Sequence, residues 1–264
     1  PARRANPPSA AVGGGPPGAD PPAAMAETAP RSTPADFRSI DTRTARIILV
    51  EGGERLLTAF PPELSARAAR DLEQLGVEVR LHARVTHVDA RGVNIGDDRI
   101  DAGCVLWAAG VRAEPIARTL GAELDSSGRV KVNPDLTVPG HPDIFVVGDL
   151  ATIVDPRSGK PVPGVCPAAT QMGRHAARCI ASGRSVPFRY VDKGILATIG
   201  RARAVADLRG VRFAGLLAWL LWAGVHIFFL ISFRNRVIVM MQWAWEYLLF
   251  QRGARLITGG EQRP

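Results

Sequence analysis

A cluster of glycines near the start of the chain has the spacing of a phosphate-binding turn. Gly13, Gly15 and Gly18 satisfy the pattern GxGxxG, in which small residues permit a tight turn and a close approach of the backbone to a pyrophosphate. The motif alone is weak evidence. Pro21 and Pro22 fall where the following helix should continue, and an interior proline costs about 3 kcal/mol. A flexible, low-complexity tail explains these residues about equally well.

An acidic residue ends the next apolar segment. Residues 47–50 are four consecutive aliphatic residues, typical of a buried parallel strand, and Glu51 follows directly. A carboxylate at this strand end accepts hydrogen bonds from the adenosine ribose of NAD, and it repels the 2′-phosphate of NADP. The interval from the glycines exceeds the usual spacing of about 20 residues, which weakens the match unless a helix or loop is inserted. A solvated strand end is the simpler alternative.

Two further apolar segments end in small residues. Residues 104–107 lead through two alanines to Gly110, and residues 144–147 lead to Gly148 and Asp149. We expect the second segment to be a buried strand. Glycine lets a flat cofactor approach the backbone, and an aspartate at a strand end can accept a hydrogen bond from a ribityl hydroxyl. Each strand end alone is ordinary, and only the pair favours a cofactor site.

The composition restricts the class of protein. The chain has 264 residues, of which 46% are apolar, and this is ample for a core. Its net charge of +8 indicates an anionic partner, which is a nucleic acid, an acidic lipid or a phosphate-bearing cofactor. No aromatic-basic module supports nucleic-acid binding. Three widely spaced cysteines without a CxxC pair favour a reducing compartment over a metal site.

The segments around the candidate residues alternate between strands and helices. Pro62 begins a predicted helix with apolar residues at helical spacing, and Gly76 ends it. The other predicted elements are strands over residues 77–81, 85–88, 93–95 and 104–107, a helix over residues 168–181, and a β-hairpin over residues 188–209 that turns at residues 192–194. A strand, a helix and a returning strand followed by a meander predict an α/β fold.

The end of the chain has a different character. Residues 213–233 contain no charged side chain, and about 20 such residues suffice to cross a hydrocarbon layer of about 30 Å. Arginines follow this run, and a second amphipathic stretch covers residues 237–250. Both a single membrane-spanning helix and helices lying on the membrane surface remain open at this point.

Together these segments resemble the disulfide-reductase-like flavoproteins with two dinucleotide-binding modules, and within that group the type II NADH:quinone oxidoreductases. The resemblance spans roughly residues 10 to 258 and is carried by residues 47–51, 106–111, 144–149, 167–173 and 196–201. It implies a Rossmann-like module with part of an FAD domain. The predicted division is a Pro/Ala/Gly-rich segment over residues 1–36, an NAD-binding module over 37–110, a returning FAD-domain segment over 111–185, a β-hairpin region over 186–210 and membrane-anchoring helices over 211–264.

The resemblance also implies roles for the candidate residues. The residues assigned to NADH are Gly13, Gly15, Gly18 and Glu51, with Gly110 beside the nicotinamide end and Asp20 where the family has a glutamate near that ring. The residues assigned to FAD are Gly148 and Asp149, with Lys193 close to the flavin and Gln171 at the junction of flavin and quinone. Pro167 replaces a second glutamine that is common in the family, which weakens the quinone assignment.

The activity implied is transfer of a hydride from NADH to FAD and of electrons to a membrane quinone, without proton pumping. The expected partners are the quinone, an anionic lipid surface and, in a homodimer, a second copy of the chain, with docking on the cytoplasmic face of the membrane. The family begins with its own FAD-binding GxGxxG module, which the sequence lacks, so we expect a truncated chain. The alternative is an inactive membrane-associated remnant that binds no flavin.

Overall fold

The structure is a computed structural model that describes residues 7–31, 41–230 and 232–249. Predictions that concern residues 1–6, 32–40, 231 and 250–264 lie outside the described residues. The chain forms two compact units. The first comprises the described parts of Pro1–Ala109 and Ile195–Pro264, and the second comprises Gly110–Gly194.

The α/β fold class is confirmed. Within the described residues the helices are α1 (Pro16–Arg31), α2 (Pro62–Gln74), α3 (Cys166–Ser182), α4 (Leu216–Phe229) and α5 (Phe233–Leu249). The strands of the same residues are β1 (Ser9–Val12), β2 (Ile47–Val50), β3 (Val77–Arg80), β4 (Val85–Asp89), β5 (Gly92–Ile95), β6 (Asp98–Asp101), β7 (Cys104–Trp107), β8 (Val130–Lys131), β9 (Thr137–Val138), β10 (His141–Phe145), β11 (Ala151–Thr152), β12 (Ile195–Thr198), β13 (Ala204–Leu208) and β14 (Val211–Ala214).

A parallel sheet of four strands organises the first unit. Its order is β3-β2-β1-β7, and every neighbouring pair is parallel. All four residues of β2 are buried, as the aliphatic run predicts, and α1 and α2 pack on the sheet through a shared apolar core. The chain leaves β1 to one side for β2 and later returns to its other side as β7. This reversal of strand order makes the carboxyl ends of β1 and β7 a topological switch point, where α/β sheets bind ligands.

Helix α1 forms despite its prolines. The prediction of a flexible tail is therefore wrong for residues 9–31, which supply the central strand β1 and a helix of 16 residues. Pro21 and Pro22 lie inside the helix. Burial of small residues such as Ala19 and Ala23 against the sheet supplies tertiary packing, which can outweigh the local cost of the missing amide donors.

Two antiparallel sheets complete the first unit. One has the order β4-β5-β6 and contains the predicted strands at residues 85–88 and 93–95, but its third strand is Asp98–Asp101, whereas residues 104–107 of the predicted meander join the parallel sheet as β7. The other has the order β12-β13-β14. The predicted turn of the β-hairpin at residues 192–194 is wrong, because β12 begins only at Ile195 and the chain reverses between Thr198 and Ala204. Gly200, with a φ of +116°, permits that reversal. Asp192 instead accepts a hydrogen bond from the amide of Gly194 and makes a local turn before the strand.

The second unit contains two small sheets and α3. Strands β8 and β11 pair in parallel, whereas β9 and β10 pair antiparallel. The prediction of a buried strand over residues 144–147 is wrong in part, because the strand is β10 and the side chain of Ile144 is 39% exposed, although Val146 is buried. The strand is only partly covered, because β10 has one neighbouring strand among the described residues.

The uncharged run near the end of the chain does not form one helix. Phe213 belongs to β14, α4 ends at Phe229, and α5 begins at Phe233. The rings of Trp222 and Trp243 stack with their centroids 5.6 Å apart, which holds α4 against α5. Among the described residues no helix combines the length and the apolar character needed to cross a membrane.

Candidate functional site

Of the three motif glycines after β1, the turn requires two and leaves the third one open. Gly13 has a φ of +111°, and a Cβ there would lie 2.7 Å from the carbonyl oxygen of Ala108. A Cβ on Gly18 would lie 1.8 Å from the carbonyl oxygen of Gly13. On Gly15 the nearest atom would be Cδ of Pro17, at 3.7 Å. The outer glycines thus fix the turn and the packing of α1, and the middle one leaves the backbone open to a pyrophosphate.

Glu51 lies against this turn. Its carboxylate accepts hydrogen bonds from the backbone amide of Gly14 and from that of Gly53, the latter at 2.7 Å. Gly14 is itself confined, since a Cβ there would lie 2.6 Å from Cδ2 of Leu56. The unusually long interval along the chain is taken up by α1 and by a short 3-10 turn at Thr42–Thr44. The acid therefore meets the glycine-rich turn in space although it is distant in sequence.

The loop that follows Glu51 supports the turn from the other side. The amide of Leu57 donates to the carbonyl oxygen of Gly14 at 2.8 Å. Arg55 donates to the carbonyl oxygen of Phe60 at 2.6 Å and to the hydroxyl of Ser65 at 2.8 Å, and that hydroxyl donates to the carbonyl oxygen of Leu57. Sequence reasoning missed Arg55 and Ser65, because neither belongs to a motif and their effect on the turn passes through the loop backbone.

Asp20 lies in the first half of α1 and faces β12. Its side chain is half-buried and hydrogen-bonded to that of Thr198. Burial raises the pKa of the Asp20 carboxyl above its ordinary value, and the hydrogen bond with Thr198 opposes that rise. Further along the helix, Glu27 accepts a hydrogen bond from the amide of Arg201 at 2.9 Å. Helix α1 thus joins the glycine-rich turn to the hairpin formed by β12 and β13.

In the second unit, Gly148 and Asp149 belong to a short turn that packs against the first turns of α3. Gly148 has a φ of +69°, and its amide points at the sulfur of Met172 at 3.3 Å. A Cβ on Gly148 would lie 3.4 Å from Cβ of Ala169. The side chain of Asp149 is exposed, and it borders Gly164, the residue two positions before the start of α3. The turn therefore presents an exposed carboxylate beside the N-terminus of α3.

Gln171 projects from the same helix toward a different segment. Its Nε2 donates to the carbonyl oxygen of Val191 at 3.0 Å, and its Oε1 accepts from the amide of Val191 at 2.9 Å. Lys193 follows two residues later and is exposed. Pro167, which stands where the family often has glutamine, occupies the second position of α3.

The predicted site residues divide between the two units. The first unit brings Gly13, Gly15, Gly18, Asp20 and Glu51 to the carboxyl end of its parallel sheet and the start of α1. The second unit contains Gly110, Gly148, Asp149, Gln171 and Lys193. Gly110 is exposed with a φ of +78°, and its place beside the nicotinamide stays a prediction. In the part of the chain that the structure describes, no group of His, Cys, Asp and Glu is arranged to hold a metal ion.

Comparison with known proteins identifies the family. The family model of pyridine nucleotide-disulphide oxidoreductases matches residues 3–173. The model of the NDH2 C-terminal domain matches residues 193–252. The chain therefore belongs to the pyridine nucleotide-disulphide oxidoreductase family.

Its relatives include enzymes of the predicted group. The type II NADH:quinone oxidoreductase Ndh of Mycobacterium tuberculosis is 38% identical over 263 residues, which cover 94% of this chain and 56% of that protein. NdhA of the same organism is also 38% identical, over 94% of this chain and 55% of its own length. The resemblance to type II NADH:quinone oxidoreductases is confirmed, and the chain spans a little over half the length of these relatives.

Solved structures share the fold. The structure of NDH2 from Plasmodium falciparum in complex with NADH superimposes with a TM-score of 0.80 at 19% identity, over 93% of this chain and 67% of that one. A FAD-dependent pyridine nucleotide-disulphide oxidoreductase from Desulfovibrio vulgaris superimposes with a TM-score of 0.58 at 24% identity, over 76% of this chain and 49% of that one. At these identities the likeness concerns the fold alone.

Proposed function

We propose that the chain carries the NADH-binding unit, part of the FAD site and the membrane-docking helices of a type II NADH:quinone oxidoreductase. Gly148 and Asp149 would hold part of FAD, which would supply the transfer of two reducing equivalents from NADH to a membrane quinone. The observation that carries the proposal is the open backbone at Gly15, bordered by Gly13, Gly18 and Glu51 at a topological switch point.

The first unit is suited to NADH. The pyrophosphate lies against Gly15, where the start of α1 offers backbone amides. Glu51 keeps acceptor capacity beyond its bonds to Gly14 and Gly53, and it receives the adenosine ribose hydroxyls. Its charge disfavours a 2′-phosphate, so NADH is the preferred donor. Asp20 lies near the nicotinamide end, where its half-buried carboxyl helps to orient the ring.

The second unit is suited to part of FAD. Asp149 accepts a hydrogen bond from a ribityl hydroxyl, and Gly148 leaves room for the chain of the flavin beside α3. Gln171 and Lys193 are the residues that we assign to the isoalloxazine end. When bound, FAD accepts the hydride and releases electrons singly or in pairs, so the protein itself needs no nucleophile or acid-base triad. The residues of this chain bind the cofactor, orient it and set its electrostatic surroundings.

The helices α4 and α5 are suited to a lipid surface. Leu217, Phe228 and Phe233 are 70%, 65% and 78% exposed, respectively. Large apolar side chains exposed together on neighbouring elements mark interaction sites. Arg234 and Arg236 lie at the start of α5, and such cations favour anionic headgroups. Peripheral docking on the cytoplasmic face gives access to a membrane quinone, and a homodimer is compatible with this arrangement.

Reconstitution tests the proposal. The purified chain, supplied with FAD in detergent, should retain flavin absorbance after gel filtration and should oxidise NADH when a quinone is added. Gly15→Ala serves as the matched variant, because it is expected to keep the fold and weaken NADH binding. A folded, colourless protein without NADH:quinone activity would instead support the alternative, a membrane-associated remnant that binds no flavin.

A further inference from the structure

The loops that follow β2 and β3 are joined to each other by backbone hydrogen bonds. The amide of Ala83 donates to the carbonyl oxygen of Glu51 at 2.9 Å, and the amide of His82 donates to that of Gly53 at 2.9 Å. His82 has a φ of +54°, a left-handed conformation that is uncommon for residues other than glycine. The pairing of the two strands thus continues into their loops, and it fixes the point at which Arg84 leaves the second loop.

Arg84 lies directly against Gly52. A Cβ on Gly52 would lie 3.6 Å from Cα and Cβ of Arg84 and 3.8 Å from its Cγ. Gly52 follows Glu51, the residue that we assign to the adenosine ribose, and both Gly52 and Arg84 are exposed. The aliphatic stem of Arg84 therefore contacts the residue next to the proposed ribose acceptor, within the same compact unit.

The guanidinium of Arg84 is available to a ligand, whereas two neighbouring arginines are engaged within the protein. Arg55 donates to oxygens of its own loop and to Ser65, and Arg80 donates to the carboxylate of Glu78 at 2.8 Å. Within the described residues, the side chain of Arg84 makes neither a hydrogen bond nor an ion pair. A guanidinium pairs with phosphate through two parallel N–H donors, and its flat face stacks on aromatic rings.

We propose that Arg84 is a specificity-determining residue of the dinucleotide site, which contacts the adenosine end of the nucleotide and attracts a 2′-phosphate that Glu51 repels. With NADH the guanidinium stacks on the adenine, and with NADPH it also pairs with the 2′-phosphate. The preference for NADH is then a balance between an acid and a cation on two joined loops. This inference rests on the proposed function, because it presumes that the adenosine lies at Glu51.

Calorimetric titration of the full chain with NADH and with NADPH tests the inference without flavin. Arg84→Met keeps an unbranched stem and removes the guanidinium. The Kd for NADH should rise about twofold to fivefold, the usual effect of losing an exposed contact between a cation and an aromatic ring. The Kd for NADPH should rise about tenfold or more, because a hydrogen bond to a charged group is lost as well.

Arg91→Met is the matched control, since it removes the same charge from the same unit. Arg91 is exposed, and its carbonyl oxygen accepts a hydrogen bond from the amide of Ala102, two residues before β7 begins. It therefore lies toward the amino end of the parallel sheet, away from Glu51. Arg91→Met should leave both Kd values unchanged, and equal Kd values in Arg84→Met and Arg91→Met would overturn the proposal.

Removal of the opposing acid sharpens the test. Glu51→Gln should bind NADPH more tightly than wild type, and addition of Arg84→Met to this variant should weaken NADPH binding about tenfold. NADPH affinity that is the same in the single and the double variant would overturn the proposal. If wild type binds NADH and responds as expected but has no quinone reductase activity, the proposed function fails and the assignment of Arg84 stands. A wild type that binds neither nucleotide would overturn both.

Discussion

Gly15 and Gly18 lie three residues apart in one turn and meet different surroundings. A Cβ on Gly18 would overlap the carbonyl oxygen of Gly13, whereas a Cβ on Gly15 would meet only the ring of Pro17 at ordinary contact distance. One glycine is therefore required by the fold, and the other is required only if a ligand approaches. Gly18 therefore bears on the stability of the fold, and Gly15 bears on ligand binding.

We expect Gly18→Ala to lower the free energy of unfolding by about 1 to 3 kcal/mol, the usual cost of overpacking. Gly15→Ala should change it by less than about 0.5 kcal/mol and should weaken NADH binding through steric conflict with the pyrophosphate. Urea unfolding and NADH titration of the two variants check this. Equal destabilisation by both variants, or full NADH affinity in Gly15→Ala, would contradict the assignment.

The half-buried Asp20 makes stability depend on pH. Its pKa is raised by burial, so its carboxyl contributes most to folded stability below its ordinary pKa, near 4, and that contribution is lost as the pH rises through the raised value. Asp20→Asn stays neutral throughout and can still bond to Thr198. We expect the variant to be more stable than wild type at about pH 7 and to lose that advantage at about pH 3.

Thermal unfolding across this pH range measures the effect. Asp207→Asn is a control outside α1, at a carboxylate that accepts a hydrogen bond from Gly210. A stability advantage of Asp20→Asn that stayed constant with pH would show that the carboxyl does not titrate differently in the folded state.

At the scale of elements, tertiary packing in α1 outweighs the poor helix propensity of its prolines. Helices α4 and α5, by contrast, leave apolar side chains exposed. Helix α1 tolerates Pro21 and Pro22 within a row of residues buried on the sheet. Helices α4 and α5 pack on each other through Trp222 and Trp243, while other apolar side chains of the pair face outward. Large apolar side chains with this exposure contribute little burial to the fold, and we propose that they contact lipid.

The triple variant Leu217→Gln, Phe228→Gln and Phe233→Gln should bind lipid vesicles at least about tenfold more weakly. Burial of one large apolar side chain contributes about 1.5 to 3 kcal/mol, and 1.4 kcal/mol corresponds to a factor of ten. Co-sedimentation with vesicles that contain anionic lipid measures the loss. Val111→Gln, at a residue of the second unit that is 77% exposed, is the control. Unchanged vesicle binding of the triple variant would rule out docking through these helices.

At the scale of the whole molecule, Gly13, Gly15, Gly18 and Glu51, assigned to NADH, lie in the first compact unit, whereas the residues assigned to FAD, and Gly110, lie in the second. Glu51 lies in the first unit and Asp149 in the second, and each residue makes its contacts within its own unit. Under the proposed function, Glu51 would contact NADH and Asp149 would contact FAD. Substitutions in one unit should therefore affect one cofactor.

We expect Asp149→Ala to weaken FAD binding about tenfold or more, the usual effect of losing a hydrogen bond to a charged group, and to leave the Kd for NADH unchanged. Glu51→Ala should do the reverse, because it removes the ribose acceptor and loosens Gly14. Calorimetric titration of both variants with both cofactors provides the measurement. Loss of both affinities in either variant would argue against separate sites.

The sequence by itself identified the candidate residues of the site. Glycines and acids at strand ends are local patterns, so Gly13, Gly18 and Glu51 were recognisable from the order of residues alone. Strand β2 and helix α2 were also recognisable from the sequence. In α2 the buried Leu64 and Leu72 lie at the predicted helical spacing.

Only the tertiary structure decided how these pieces meet. Glu51 reaches Gly14 across 37 positions of sequence, and Gln171 reaches Val191 across 20. The course of residues 213–233 through β14, α4 and α5 was equally undetermined by their apolar composition. Such contacts depend on packing between residues that are distant along the chain, and no local propensity encodes them.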